Sequence, residues 1–186
     1  MLIYPDINPV AISVGPLVVH WYGVMYLIAF MTGGMLGLYR ARKADVDWTS
    51  SQVWDLVFYV AIGAVVGGRL GYVVFYNPGY YFLHPVELLS VWSGGMSFHG
   101  GLIGVSVAVL LFARRFSKSF LSAADFLAPL CAPGLCAGRI GNFINQELWG
   151  RVSDSPWAMV FPAAGPLPRH PSQLYEAGLE GVVLFL

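Results

Sequence analysis

Four stretches of this sequence stay apolar for longer than a soluble core helix requires: Leu17–Tyr39, Val53–Tyr76, Met96–Ala113 and Phe120–Gly138. A helix that crosses a bilayer needs roughly 20 mostly apolar residues. Hydrocarbon offers no partner to a free N–H or C=O, so a run of this kind must bond its own backbone as a helix. The composition agrees, with 57% hydrophobic and only 11% charged residues, where a soluble domain carries about 25% charged. The prediction is an all-α fold: a polytopic membrane helix bundle forming a single integral membrane domain over residues 1–186. Residues 174–186 begin a fifth span but are too few to complete it, so the chain is expected to be C-terminally truncated. Net charge is zero and there is no basic tail, which excludes nucleic acid as a partner.

Basic residues give the orientation. Arg40, Arg42 and Lys43 follow the first span, and Arg114, Arg115 and Lys118 follow the third. Loops rich in Lys and Arg stay in the cytoplasm, whereas acidic residues such as Asp45 and Asp47 count for little. The N-terminus is therefore expected outside. The loops at 77–95 and 139–173 then also face the exterior.

Small residues recur at four-residue spacing in Gly33/Gly37, Gly63/Gly67/Gly71, Gly100/Gly104 and Gly134/Gly138, the pattern that lets membrane helices approach closely. Pro129 and Pro133 are expected to kink or interrupt the fourth span. Cys131 and Cys136 read as small core residues on different faces of one helix. They are expected to form neither a disulfide nor a metal site, and no metal or cofactor is expected.

Against this background the polar residues stand out. GRIGNFINQELWGR, Gly138 to Arg151, gathers Arg139, Asn142, Asn145 and Glu147 just behind the fourth span. Arg69 lies seven residues inside the second span, about 10 Å deep at a helical rise of 1.5 Å per residue, and must snorkel or pair with an acid or a lipid phosphate, so that structural pairing and anionic-lipid binding are both open to it. His99, in SGGMSFHGG, is the strongest proton-transfer candidate near neutral pH on the outer side. Glu176 and Glu180 share one helix face, and an acid at that depth needs a partner, for which Arg139 and Arg69 are the obvious choices. Guanidinium groups recognise phosphate through paired hydrogen bonds, and asparagine amides add donors. The residues alone thus point to an outer-leaflet anionic-lipid site, with Arg139, Arg69, Asn142 and Asn145 as ligands to the headgroup, and leave the reaction open.

The same run resembles the signature of the prolipoprotein diacylglyceryl transferases, Gly-Arg-x-Gly-Asn-Phe-x-Asn-x-Glu-x-x-Gly. HWYGVMY, GGRLGYVVFYN, GGMSFHGGLIG and RHPSQLYE are similar to further blocks of that family, in the same order. Gln146 departs from the pattern, since that position is often glycine in the family. The resemblance implies an enzyme of the bacterial inner membrane, multi-pass, with its active site facing outward. It implies transfer of the diacylglyceryl group of phosphatidylglycerol to the lipobox cysteine of a preprolipoprotein, with glycerol phosphate leaving and no cofactor. Arg139 matches the phosphate-binding arginine and His99 the proposed base, while Tyr22, Asn142, Glu147 and Gly150 match further functional positions. Family members carry about seven helices, a later one supplying another site arginine and glutamate. This segment alone is therefore expected to be nearly inactive.

Rival readings are weaker. A non-enzymatic lipid-binding or transport protein needs a polar route across the bilayer, and the inner halves of the first three spans are nearly uncharged. An intramembrane serine protease built on Ser97 and His99 lacks a nucleophile turn. A lipoprotein substrate needs a lipobox, which neither LAPLC nor PGLC provides.

Overall fold

The structure, a computed structural model, describes residues 2–15, 17–43, 47–91 and 94–186; Asp45 and Ser93 of the sequence reading lie outside them. Short strands β1 (Leu2–Ile3), β2 (Val10–Val14) and β3 (Leu17–His20) precede the long helices α1 (Trp21–Ala41) and α2 (Ser50–Tyr76). A short helix α3 (Pro78–Leu83) and a 3-10 turn (Pro85–Leu89) lead to α4 (Phe98–Arg115) and α5 (Phe120–Ile144). Strands β4 (Met159–Val160) and β5 (Pro168–Arg169) follow, then α6 (Ser172–Glu176), which continues as a π-helix over Ala177–Val183. Helices α1, α2, α4 and α5 are each long and apolar enough to cross a membrane, so the chain is a polytopic helical membrane protein. It packs as two compact units, residues 1–36 with 128–186 and residues 37–127.

In the unit of residues 37–127, α2 begins with a capping box in which Thr49 and Gln52 satisfy each other's backbone N–H, closing donors that a helix start leaves open. Helices α2 and α4 run antiparallel along a glycine seam. A methyl group on Gly63 would lie 2.6 Å from the Gly104 carbonyl, and one on Gly71 would lie 2.6 Å from Gly100 Cα. Only hydrogen at these positions allows backbones to touch, which is the use the four-residue spacing foretold. At one end of this unit Trp48 stacks between Phe112 and Phe126, at 5.5 and 3.9 Å. Arg40 donates to the Phe126 carbonyl at 3.0 Å, and Lys118 lies 4.8 Å over the Trp48 ring. Both basic clusters of the sequence therefore contribute to the same end.

In the other unit α1 meets α5 through small residues, with Gly33 facing the Leu130 carbonyl and Gly134 facing Ala29. Helix α5 continues unbroken through Pro129 and Pro133, so the expected interruption does not occur. It also runs past Gly138 to Ile144, which places Arg139 and Asn142 on the helix rather than in a loop. Cys131 and Cys136 are not joined to each other, and Cys131 lies on an exposed face rather than in the core.

The strands were not foreseen. β1 pairs parallel with β4, which pairs antiparallel with β5, and β2–β3 form a hairpin leading into α1. Two-residue strands carry too little alternation to register as a period. Tyr4, buried between Phe143 and Phe161, ties this small sheet to α5 by donating to the Ile144 carbonyl at 2.8 Å. Burial, and secondarily Asp6, pushes its phenol above the ordinary value, so it remains a donor across the physiological range.

Candidate active site

The last turns of α5 present Arg139 on the face that α6 and its π-helical continuation approach. Arg139 Nη1 bonds Glu176 Oε2 at 2.8 Å, and Nε and Nη2 reach the two oxygens of Glu180 at 3.1 and 3.4 Å. The π turn and a glycine allow this approach. A side chain on Gly181 would overlap Cys136 of α5, so any larger residue would push both carboxylates away from the guanidinium. π-Helical segments are rare and recur at functional sites. Of the two arginines that the sequence offered these acids, Arg139 is the partner. Guanidinium carries five N–H donors in a planar fork, so Nη1 and Nη2 each retain one beyond these contacts. The group is half-buried, held in one orientation, and faces two negative charges with one positive.

One turn further along α5, Asn142 is buried and donates from Nδ2 to Glu147 Oε2 at 3.1 Å. Asn145 Nδ2 approaches Glu147 Oε1 at 3.5 Å. The Tyr22 ring meets Tyr26 edge-on at 5.2 Å. Gly141 leaves room for the Tyr22 ring, which a methyl group there would meet at 3.2 Å. Asn142 and Asn145 thus hold the Glu147 carboxylate by neutral amides, and Tyr22 packs on the same stretch of α5 at Gly141.

The turn that carries Glu147 is strained. Gln146 and Leu148 have φ of 53° and 54°, the left-handed region that costs a non-glycine residue about 1–2 kcal/mol. A glycine at the position of Gln146 would adopt this φ without penalty. In this chain the Gln146 side chain offsets part of the strain by accepting from Ala163 N at 3.1 Å.

Residues 169–173 are bonded along the turn and its continuation. Gly150 N donates to the His170 carbonyl at 2.9 Å, and His170 N to the Arg151 carbonyl at 3.1 Å. A methyl group on Gly150 would lie 2.9 Å from His170 Cβ, which explains why the signature ends on glycine. Ser172 Oγ donates to the Leu148 carbonyl at 2.7 Å and Gln173 Nε2 to the Glu147 carbonyl at 2.5 Å. Sequence reasoning missed Ser172, Gln173 and Tyr4. The block RHPSQLYE contained the first two, but nothing in it said which backbone they would meet.

The other unit holds Arg69 and His99. Arg69 is 4% exposed and donates from Nε to Leu88 O at 3.0 Å, from Nη1 to Gly94 O at 2.6 Å and Gly95 O at 3.3 Å, and from Nη2 to Glu87 O at 2.6 Å. Its guanidinium also lies 5.1 Å over the Tyr81 ring. Backbone carbonyls thus take four of its five N–H donors and leave one on Nη2. One side chain thereby ties Glu87 and Leu88 to Gly94 and Gly95, and each charge-assisted bond of this kind contributes about 1.5–3 kcal/mol. His99 is exposed in the first turn of α4, behind Ser97, whose hydroxyl caps the helix by accepting from Gly100 N at 3.2 Å. Gly94 and Gly95, at φ of 82° and 80°, turn the chain toward that cap.

A half-buried guanidinium with spare donors thus stands in apolar helices of a membrane protein, one turn from an amide-held carboxylate. The comparisons carry this further. The sequence matches the family described as prolipoprotein diacylglyceryl transferase over residues 9–186. It is 60% identical to a phosphatidylglycerol–prolipoprotein diacylglyceryl transferase of Pseudomonas aeruginosa (strain UCBPP-PA14), covering all of this chain and 70% of the relative. It is 60% identical to the protein of that name from Coxiella burnetii (strain RSA 331 / Henzerling II), covering all of this chain and 71% of the relative. The Legionella pneumophila (strain Lens) protein of the same name is 55% identical over all of this chain and 73% of its own length. The chain belongs to the prolipoprotein diacylglyceryl transferase family, and is a transferase.

Proposed function

We propose that the protein transfers the diacylglyceryl group of phosphatidylglycerol to the cysteine thiol of a prolipoprotein lipobox, the first step of lipoprotein maturation. The thiolate sulfur forms a bond to the terminal glycerol carbon of the diacylglyceryl group. The bond from that carbon to the phosphate oxygen breaks, and its electron pair leaves with glycerol phosphate. The thiol proton passes to a base. Charge thus builds on the departing phosphate oxygen, where a fixed donor stabilises the transition state more than the ground state.

Arg139 is the residue we assign to that phosphate. The observation that carries the reading is its guanidinium held by Glu176 and Glu180 with donors to spare on both terminal nitrogens. Two carboxylates fix the orientation of the fork before the lipid arrives, and their negative charge favours release of the phosphate product. Asn142 and Asn145 are assigned to the headgroup, with Tyr22, Glu147 and Gly150 as further members of the site. His99 is assigned the thiol proton. A free thiol, with a pKa near 8.5, is only a few per cent thiolate at neutral pH, so a base raises the fraction that reacts.

We also propose the bacterial inner membrane as the location, as a single integral membrane domain with its N-terminus and the site on the outer side. The clustering of Arg40 and Lys118 at one end of their unit, next to Arg114 and Arg115, supports that orientation through the excess of basic residues in cytoplasmic loops. The test is to incubate the full-length protein in membranes with acyl-labelled phosphatidylglycerol and a lipobox peptide. Label moves to the cysteine and fails to move with Arg139→Ala. Label that crosses the bilayer without joining the peptide would instead mark a lipid transporter.

A further inference from the structure

We propose that Gln173 is a positioning residue for the Glu147 carboxylate, acting by locking the strained Gln146–Leu148 turn, and that Ser172 shares this task. The proposal rests on the reading above that Glu147 belongs to the site.

The first argument is burial. Gln173 is wholly inaccessible, at 0% exposure, yet among the described residues its Oε1 has no hydrogen-bond partner. A buried amide with one half unsatisfied is a net cost, and a leucine would fill similar space without it. The placement is explained by the one bond that the side chain makes, from Nε2 to the Glu147 carbonyl at 2.5 Å.

The second argument is the geometry of what that bond holds. Glu147 N donates to the Asn142 carbonyl at 2.8 Å, so the backbone of Glu147 is pinned at its N–H by α5 and at its C=O by Gln173. The next carbonyl, of Leu148, is pinned by Ser172 Oγ at 2.7 Å. Both residues flanking Glu147 sit at positive φ, from which a non-glycine residue relaxes toward the right-handed region unless its surroundings forbid it. Were either to relax, the peptide planes on each side of Glu147 would rotate and its carboxylate would leave Asn142 and Asn145. Gln173 and Ser172 are adjacent, at the start of α6, and grip successive carbonyls of the turn. The helix that brings Glu176 to Arg139 is thus the same one that sets Glu147.

The experiment measures diacylglyceryl transfer to a fluorescent lipobox peptide by the full-length enzyme in vesicles of phosphatidylglycerol and phosphatidylethanolamine. Gln173→Leu is expected to lower kcat about 10- to 100-fold, the scale for a displaced group, while the lipid's KM moves less than about threefold. The discriminating variant is Gln173→Leu combined with Gln146→Gly. Glycine keeps the left-handed conformation without the lock, so the pair is expected to recover at least about fivefold of the lost kcat. Ser172→Ala, which removes only a hydroxyl, is expected to lose about fivefold and to be rescued by Leu148→Gly in the same way. This second pair carries the test if Gln173→Leu does not fold. Unchanged kcat in both single variants, or losses that glycine does not relieve, would overturn the proposal. Glu147→Gln separates the two ideas: full activity there removes Glu147 from the site, whereas an inactive Glu147→Gln beside a fully active Gln173→Leu removes only the lock.

Discussion

Arg69 and Arg139 are both arginines within long apolar helices, and their surroundings treat them in opposite ways. Arg139 is met by two carboxylates, and its terminal nitrogens keep donors in hand. Arg69 is met by four backbone carbonyls and an aromatic ring, and among the described residues no acid is bonded to it. A carboxylate is an anion that another anion can replace. A set of carbonyls from one folded segment is not replaceable, because freeing the arginine would also strand them. The first arrangement suits recognition of a passing phosphate, and the second suits a clamp that ties Glu87 and Leu88 to Gly94 and Gly95. Burial points the same way: Arg69 is almost fully enclosed, while Arg139 is not.

The largest effect expected is that of Arg139→Ala, which removes the proposed donor to the leaving phosphate. Transfer is expected to fall about 10²–10³-fold, the scale for losing one such donor, and to stay low when Glu176→Gln and Glu180→Gln relieve the stranded carboxylates. Arg69→Ala should act on stability first. Loss of its charge-assisted bonds is expected to cost about 3 kcal/mol of stability, read by denaturant or thermal unfolding, and Arg69→Lys should not restore it because an ammonium cannot span four carbonyls. A stable Arg69→Ala with weakened lipid binding would break the comparison and make Arg69 a lipid ligand rather than a clamp. Glu180→Gln sharpens the other side. It keeps acceptor and shape but loses charge, so kcat is expected to fall about five- to tenfold through loss of a charge-assisted bond. The smallest effect is that of Tyr81→Leu, which removes the ring beneath Arg69 and is expected to cost about 1 kcal/mol of stability without altering transfer.

Much of this was legible in the residues because it depends on local spacing. The length and apolarity of α1, α2, α4 and α5 follow from the bilayer's thickness, and Gly63, Gly67, Gly71, Gly100 and Gly104 followed the spacing that a close seam requires. Glu176 and Glu180 were readable as a pair in want of a cation. Other features were not readable, each for a physical reason. Pro129 and Pro133 suggested a break that α5 does not have; whether a helix continues past a missing N–H depends on what surrounds the freed carbonyl. Strands as short as β1 and β4 have no period to detect. Gln146 looked like a tolerated exception to a glycine, and only its φ shows that a glycine would suit the position.

By itself the sequence determined the membrane class, the helices, the family and the polar residues from which a site is made, since hydrophobic length, helical periodicity and ordered motifs are properties of the chain in one dimension. Tertiary structure decided which partner each long polar side chain takes. Arginine and glutamine reach several ångströms on flexible stems and bond whatever acceptor the fold brings within range. That is why Arg139 meets carboxylates, Arg69 meets carbonyls and Gln173 meets the backbone of Glu147, a residue far from it in the sequence and adjacent in space.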